Sequence, residues 1–184
     1  FIITSLLLIT AEGLTRKAFG KHIRLWDTWK PHIANSYTVL GHTIGGYLMI
    51  GIDMTFLVTF YYISTTYLKW WTPLSQLVNP NILANYIPWL SSIAKSLQAG
   101  FVEEAQFRAI PIAVAALLGE RFGKKRWWIS SVLLLQAIIF GAAHANYAAQ
   151  PAYARLIELI IPSLVFAALY MRFGLLTSVV MHYA

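Results

Sequence analysis

Two adjacent carboxylates and an arginine stand alone in a run otherwise apolar enough to enter a membrane: from Ala99 to Gly119 the only charged residues are Glu103, Glu104 and Arg108. A charge at bilayer depth costs roughly 2.5 to 3.5 kcal/mol on insertion scales, so three together need a reason. On a helix Glu104 and Arg108 share one face, in the favourable acid-before-base order, and neutralise each other. Glu103 lies about 100° around the helix from Glu104 and points into a different space. It is the carboxylate left over for chemistry, a candidate general base or acid.

Two histidines on later apolar runs extend this set. In Phe140-Gly-Ala-Ala-His144 the aromatic ring and the imidazole fall on one helical face, with small residues between them that permit close packing. His182 lies in the last apolar stretch, which begins at Leu175. Either histidine alone reads better as a satisfied structural residue. Beside Glu103 and Glu104 the weighing reverses, because a carboxylate and two imidazoles on three separate helices form a constellation able to activate water.

The elements that must carry these residues are membrane spans, giving an all-α fold, a polytopic transmembrane helix bundle. The 184 residues are 58% hydrophobic and only 11% charged, with a mean hydropathy of +0.61, where soluble domains carry about 25% charged residues. The net charge of +7 sits in short basic clusters flanking apolar runs, which fits the positive-inside pattern and speaks against nucleic acid as a partner. With no cysteine, disulfides and thiol nucleophiles are excluded. We read residues 1–184 as a single membrane-embedded domain and a fragment truncated at both ends, with about 99–184 as its motif-bearing core.

From Arg16 to Lys30, five basic residues interleave with Phe19, Ile23, Trp26 and Trp29 at near-helical spacing, predicting an interfacial helix on an anionic leaflet, with membrane lipids as partners. Val39 to Leu68 is long enough to span, at about 20 residues needed. Its Gly41 and Gly45 predict close approach of a neighbouring helix. His42 reads as interfacial or hydrogen-bonded; Asp53, mid-span, reads as a structural hydrogen bond or ion pair. Thr72 to Pro88 is a turn-rich connection. A helix follows from about Ala99 to Glu120, kinked at Pro111, then a basic turn to Arg126 and spans at Trp127–His144 and Ala154–Met171. With the loops at Arg16–Lys30 and Arg121–Arg126 cytoplasmic, Arg172 also falls inside, and Glu103 and His144 lie nearer the opposite face.

Three of these stretches resemble the motifs of the CAAX-protease and bacteriocin-processing family of intramembrane endopeptidases, which includes the Ras-converting CAAX protease. Glu103-Glu104-Ala-Gln-Phe-Arg108 is similar to its Glu-Glu-x-x-x-Arg motif, and Phe140-Gly-Ala-Ala-His144 to its Phe-x-x-x-His motif. His182 is similar to the histidine of its third motif, whose Asn or Asp partner would fall past Ala184. The resemblance implies that Glu103 activates water with His144, that His182 helps stabilise the oxyanion, and that Glu104 and Arg108 orient Glu103. It also leaves room for a divalent metal such as zinc on Glu103, His144 and His182. No cofactor is the better fit, since the usual His-Glu-x-x-His pairing is absent and the spare carboxylate, Glu104, already faces Arg108.

The expected activity is hydrolysis of peptide bonds in membrane-associated protein or peptide substrates, in a bacterial inner membrane. Prenylated CAAX proteins, pheromones, bacteriocin leaders and membrane-bound regulators are all candidate substrates. A proton-coupled transporter would instead make Asp53 as important as Glu103. A catalytically silent scaffold or immunity protein would tolerate Glu103→Gln.

Overall fold

A computed structural model describes residues 2–71, 84–146 and 149–184, and most of the expected Thr72–Pro88 connection lies outside them. Helix α1 (Ile2–Ala18) is followed by a 3-10 turn at Leu25–Trp29 and the single-turn α2 (Pro31–Ala34). Then come α3 (Tyr37–Thr66), α4 (Pro88–Glu103), a π-helical stretch at Glu104–Ala109, and α5 (Ile110–Phe122). The chain closes with α6 (Lys125–Ala143), α7 (Ala154–Phe173) and α8 (Leu175–Tyr183). No strand forms among the described residues, only one antiparallel bridge between Trp71 and Gln150.

Helices α3, α6 and α7 are long and apolar enough to cross a membrane. Leu48, Ile52 and Val58 on α3, and Leu134 and Leu135 on α6, stand exposed as lipid-facing side chains do. The ends obey local chemistry. Ser36 caps α3 by accepting the Val39 N–H at 3.2 Å, and Pro88 begins α4, where its missing N–H costs nothing. Gly174 ends α7 at φ +87°, a conformation that favours glycine, and so turns the chain directly into α8.

Small residues set the packing. Ala11, Ala105, Ala109 and Ala167 are fully buried with Tyr170 where α1, the π stretch and α7 meet. The Tyr170 hydroxyl pairs with Thr15 Oγ1 at 2.8 Å and donates to the Ala109 carbonyl. Close approach to α3 occurs at Gly46, not at the expected Gly41 and Gly45. A Cβ on Gly46 would lie 2.8 Å from Val180 Cβ and 2.9 Å from the Thr177 carbonyl of α8, whereas Gly41 and Gly45 have open space beside them. One residue is about 100° of helix rotation, enough to move the contact face.

The expected interfacial helix over Arg16–Lys30 does not form as one element. The chain leaves α1 at Ala18, and Phe19 turns inward, its ring edge-on to Tyr170 and stacked on His22. Leu25 is buried and its N–H donates to Glu12 Oε2, while Trp26 and Trp29 remain exposed. Tertiary anchoring of Phe19 and Leu25 outweighs the helical spacing, and the aromatic positions end on different faces. The segment packs beside the α7–α8 turn, where His22 Nε2 donates to the Met171 carbonyl at 3.1 Å. Its cations thus gather with Arg172 at one end of the bundle.

Candidate active site

His182, on α8, stands between the two glutamates. Its Nδ1 lies 2.8 Å from Glu104 Oε1 and its Nε2 3.5 Å from Glu103 Oε2. A carboxylate only accepts, so Nδ1 carries the hydrogen and Nε2 is turned toward Glu103. His144 reaches the same oxygen from another side, its Nε2 3.9 Å from Glu103 Oε2. His144 caps the C-terminus of α6, and its Nδ1 donates to the Phe140 carbonyl at 2.8 Å, again turning Nε2 toward Glu103. Five sequence-predicted residues, Glu103, Glu104, Arg108, His144 and His182, therefore meet at one place. Glu103 remains 26% exposed, while Glu104 and Arg108 are fully buried.

The arginine is caged. Arg108 Nη1 lies 3.4 Å from Glu104 Oε1, a pair held by charge more than by a well-formed hydrogen bond. Nη2 donates to Ser163 Oγ at 3.1 Å, and Ser163 in turn donates to Gln136 Oε1 at 3.0 Å. The guanidinium lies 4.0 Å from the centre of the Phe140 ring and 5.2 Å from that of Phe166. Phe166 also lies against the His182 ring, with centroids 5.0 Å apart. Glu104 bonds the His182 imidazole, and Arg108 lies against Glu104.

Glu103 and Glu104 sit where the helix changes register. From Glu104 the hydrogen bonds widen by one residue, so that the Ile110 N–H donates to the Ala105 carbonyl five residues back. Pro111 follows immediately, without an N–H of its own. Where the sequence predicts a kink at Pro111, the structure has a short π stretch ahead of it, of the kind common at functional sites.

Ser163, Gln136 and Phe166 were not singled out from the sequence. The first two carry a usable signal, being polar and lying well inside apolar spans. The same holds for Glu158, buried on α7, which pairs with Arg155 and accepts the Tyr61 hydroxyl at 2.9 Å. Its spacing from Arg155 repeats the logic that flagged Glu104 and Arg108. Asp53 is half-buried on α3 within the electrostatic reach of His182 and Glu158. Among the described residues its side chain makes no hydrogen bond or ion pair. His42 packs edge-on to Phe173.

A zinc ion would need its three ligand atoms about 2 Å from one common point. Both imidazole Nε2 atoms instead stand against a single oxygen of Glu103, and no group of three His, Cys, Asp or Glu side chains among the described residues is arranged to hold a metal. As they stand, the residues do not fit the ion.

Residues 85–184 match the family model of the type II CAAX prenyl endopeptidases described as Rce1-like. The chain belongs to this family. No curated protein and no solved structure matches. The matched part of this CAAX endopeptidase family member runs from the start of α4 to the end of α8 and contains all five site residues. Helices α1 and α3 precede it, yet α1 supplies core residues and α3 packs on α8. With three helices apolar enough to span, it is an integral membrane protein of a protease family.

Proposed function

We propose that this protein is an intramembrane endopeptidase in which Glu103 activates the attacking water. The observation that carries the reading is the convergence of His144 Nε2 and His182 Nε2 on Glu103 Oε2, at 3.9 and 3.5 Å. These separations are too long for direct hydrogen bonds and suit groups that share a small third molecule. Glu103 takes a proton from water while His144 Nε2 orients it. The hydroxide adds to the scissile carbonyl carbon, and His182, carrying a hydrogen on each nitrogen between the two carboxylates, keeps Nδ1–H on Glu104 and donates Nε2–H to the oxyanion. When the tetrahedral intermediate collapses, the C–N bond breaks and Glu103 returns its proton to the leaving amine.

Glu104 supports the oxyanion step by holding His182 Nδ1–H, and it is fixed in turn by Arg108. His182 is eight residues along α8 from the Gly174 turn, about 12 Å at 1.5 Å per residue. The chemistry thus lies inside the bilayer, and the substrate is a peptide or protein already in the membrane. The family's description makes a prenylated C-terminal segment one class to test.

The test is cleavage of a membrane-peptide library by the purified protein in liposomes, read by mass spectrometry, for wild type, Glu103→Gln and Asp53→Asn, with and without chelator. We expect Glu103→Gln to lose about 10² to 10⁴-fold of the rate, with wild type and Asp53→Asn active and indifferent to chelator. Loss on chelation would transfer the reaction to a metal. No cleavage by any form, with proton uptake altered in both variants, would favour a transporter.

A further inference from the structure

Arg16, Lys17, Lys21, Arg24, Lys30 and Arg172 cluster around the segment after α1 and the α7–α8 turn, where among the described residues Glu12 and Asp27 are the neighbouring carboxylates, and both are engaged. Glu12 accepts the Leu25 N–H, and Asp27 pairs with Lys30 at 2.7 Å and Arg24 at 3.6 Å. Arg16, Lys17, Lys21 and Arg172 make no ion pair among the described residues. Between them opens a cleft of about 620 Å³, lined by Lys21 and His22 from the loop after α1, Thr38 and His42 from α3, and Arg172 from α7. A second cleft of about 420 Å³, lined by Arg16, Lys17 and Arg24, adjoins it through Gly20 and His22.

The wall is built rather than incidental. His22 is fixed by its bond to the Met171 carbonyl, by stacking on Phe19, and by the Gly174 turn, where a Cβ would lie 3.1 Å from His22 Cβ. The Nδ1 atoms of His22 and His42 are buried without a hydrogen-bond partner. Exposed Trp26 and Trp29 lie just beyond in the chain, the residue type that anchors at headgroup depth.

We propose that this cleft is a binding site for a phosphate group, supplied by an anionic phospholipid headgroup or by free phosphate. A phosphate oxyanion accepts several hydrogen bonds at once and suits the fork of Arg172 beside the ammonium of Lys21 and the hydroxyl of Thr38. With this end on the cytoplasmic side, as the positive-inside pattern expects, the charge would meet the surface potential of an anionic leaflet.

The experiment uses the whole protein in nanodiscs of phosphatidylcholine doped with phosphatidic acid, at about 0.15 M salt to screen diffuse attraction, with retained lipid counted by native mass spectrometry. Wild type should retain phosphatidic acid in preference to phosphatidylcholine. Lys21→Gln/Arg172→Gln should weaken that retention about 25-fold, at about fivefold per basic residue. Lys125→Gln, whose ammonium is already paired with Glu120, should leave it unchanged, and tryptophan-monitored melts should show all forms folded. Displacement by millimolar inorganic phosphate would show that the phosphate group suffices; selective retention without displacement would assign the site to the lipid. Equal retention of the two lipids, or undiminished preference in the folded double variant, would overturn the proposal.

Discussion

Replacing Glu104 by Gln should unfold more of this protein than replacing the partly exposed Glu103, and the lost stability should return when Arg108 is neutralised as well. Glu104 Oε1 and Arg108 Nη1 are 3.4 Å apart and fully buried. At an effective dielectric constant near 20 that separation is worth about 5 kcal/mol, and removing one partner of a buried pair costs about 3 to 5 kcal/mol because the other charge is left uncompensated. For a chain of this size each kcal/mol moves Tm by about 2 to 4 °C, so Glu104→Gln and Arg108→Met should each lower Tm by about 6 to 20 °C. The double variant carries neither charge and should recover most of the loss. The assay is a tryptophan fluorescence melt in detergent, on the seven native tryptophans. Recovery should be confined to stability: the double variant stays poor in cleavage because His182 Nδ1 has lost its carboxylate. Additive losses in the double variant, or a Tm within about 3 °C of wild type for Glu104→Gln, would refute the reasoning.

Gly46→Ala should lower Tm, since its Cβ would meet α8 backbone and Val180 at under 3 Å, while Gly41→Ala and Gly45→Ala, with open space beside them, should be neutral or slightly stabilising. The three melts, run side by side, check which face of α3 is in contact. Burial holds the His22 imidazole below its ordinary value, ahead of the opposing effect of its bond to Met171. The unfolded chain then binds the proton more readily, so His22 should cost stability as pH falls from about 6.5 toward its folded value. The wild-type minus His22→Asn difference in Tm should shrink over that window, and a difference flat with pH would contradict it.

How much of this was legible in the sequence depends on the range of the contact. The helical class followed from hydropathy alone, and the spacing of Glu104 with Arg108, or of Phe140 with His144, anticipates contacts within one turn, which helix geometry fixes. The bond from Glu104 to His182 joins residues 78 apart in the chain, and no local rule says which of two adjacent glutamates takes it. The same holds for Ser163 and Gln136, whose partners are set by helix packing. Gly46 was missed in favour of Gly45 because a small-xxx-small spacing marks a stripe without saying which neighbour uses it. The periodicity from Phe19 to Trp29 misled because the core around Tyr170 draws Phe19 out of the pattern.

The π stretch explains how two neighbours on one helix serve one imidazole. On a regular α-helix adjacent side chains diverge by about 100°, which reads Glu103 and Glu104 as facing different spaces. Here they reach opposite nitrogens of His182, and the register change begins at Glu104 itself. The widened turn is held by its neighbours. Arg108, four residues on, is pinned by Ser163, by the Phe140 ring and by Glu104, while Ala105 and Ala109 let neighbouring helices press against the wide turn. Pro111 removes the N–H that would otherwise compete to continue the tighter spiral. The charged residues that look costly in an apolar run are thus the clamp that holds the wide turn beneath the site, and the chemistry proposed for Glu103 depends on that clamp as much as on the glutamate.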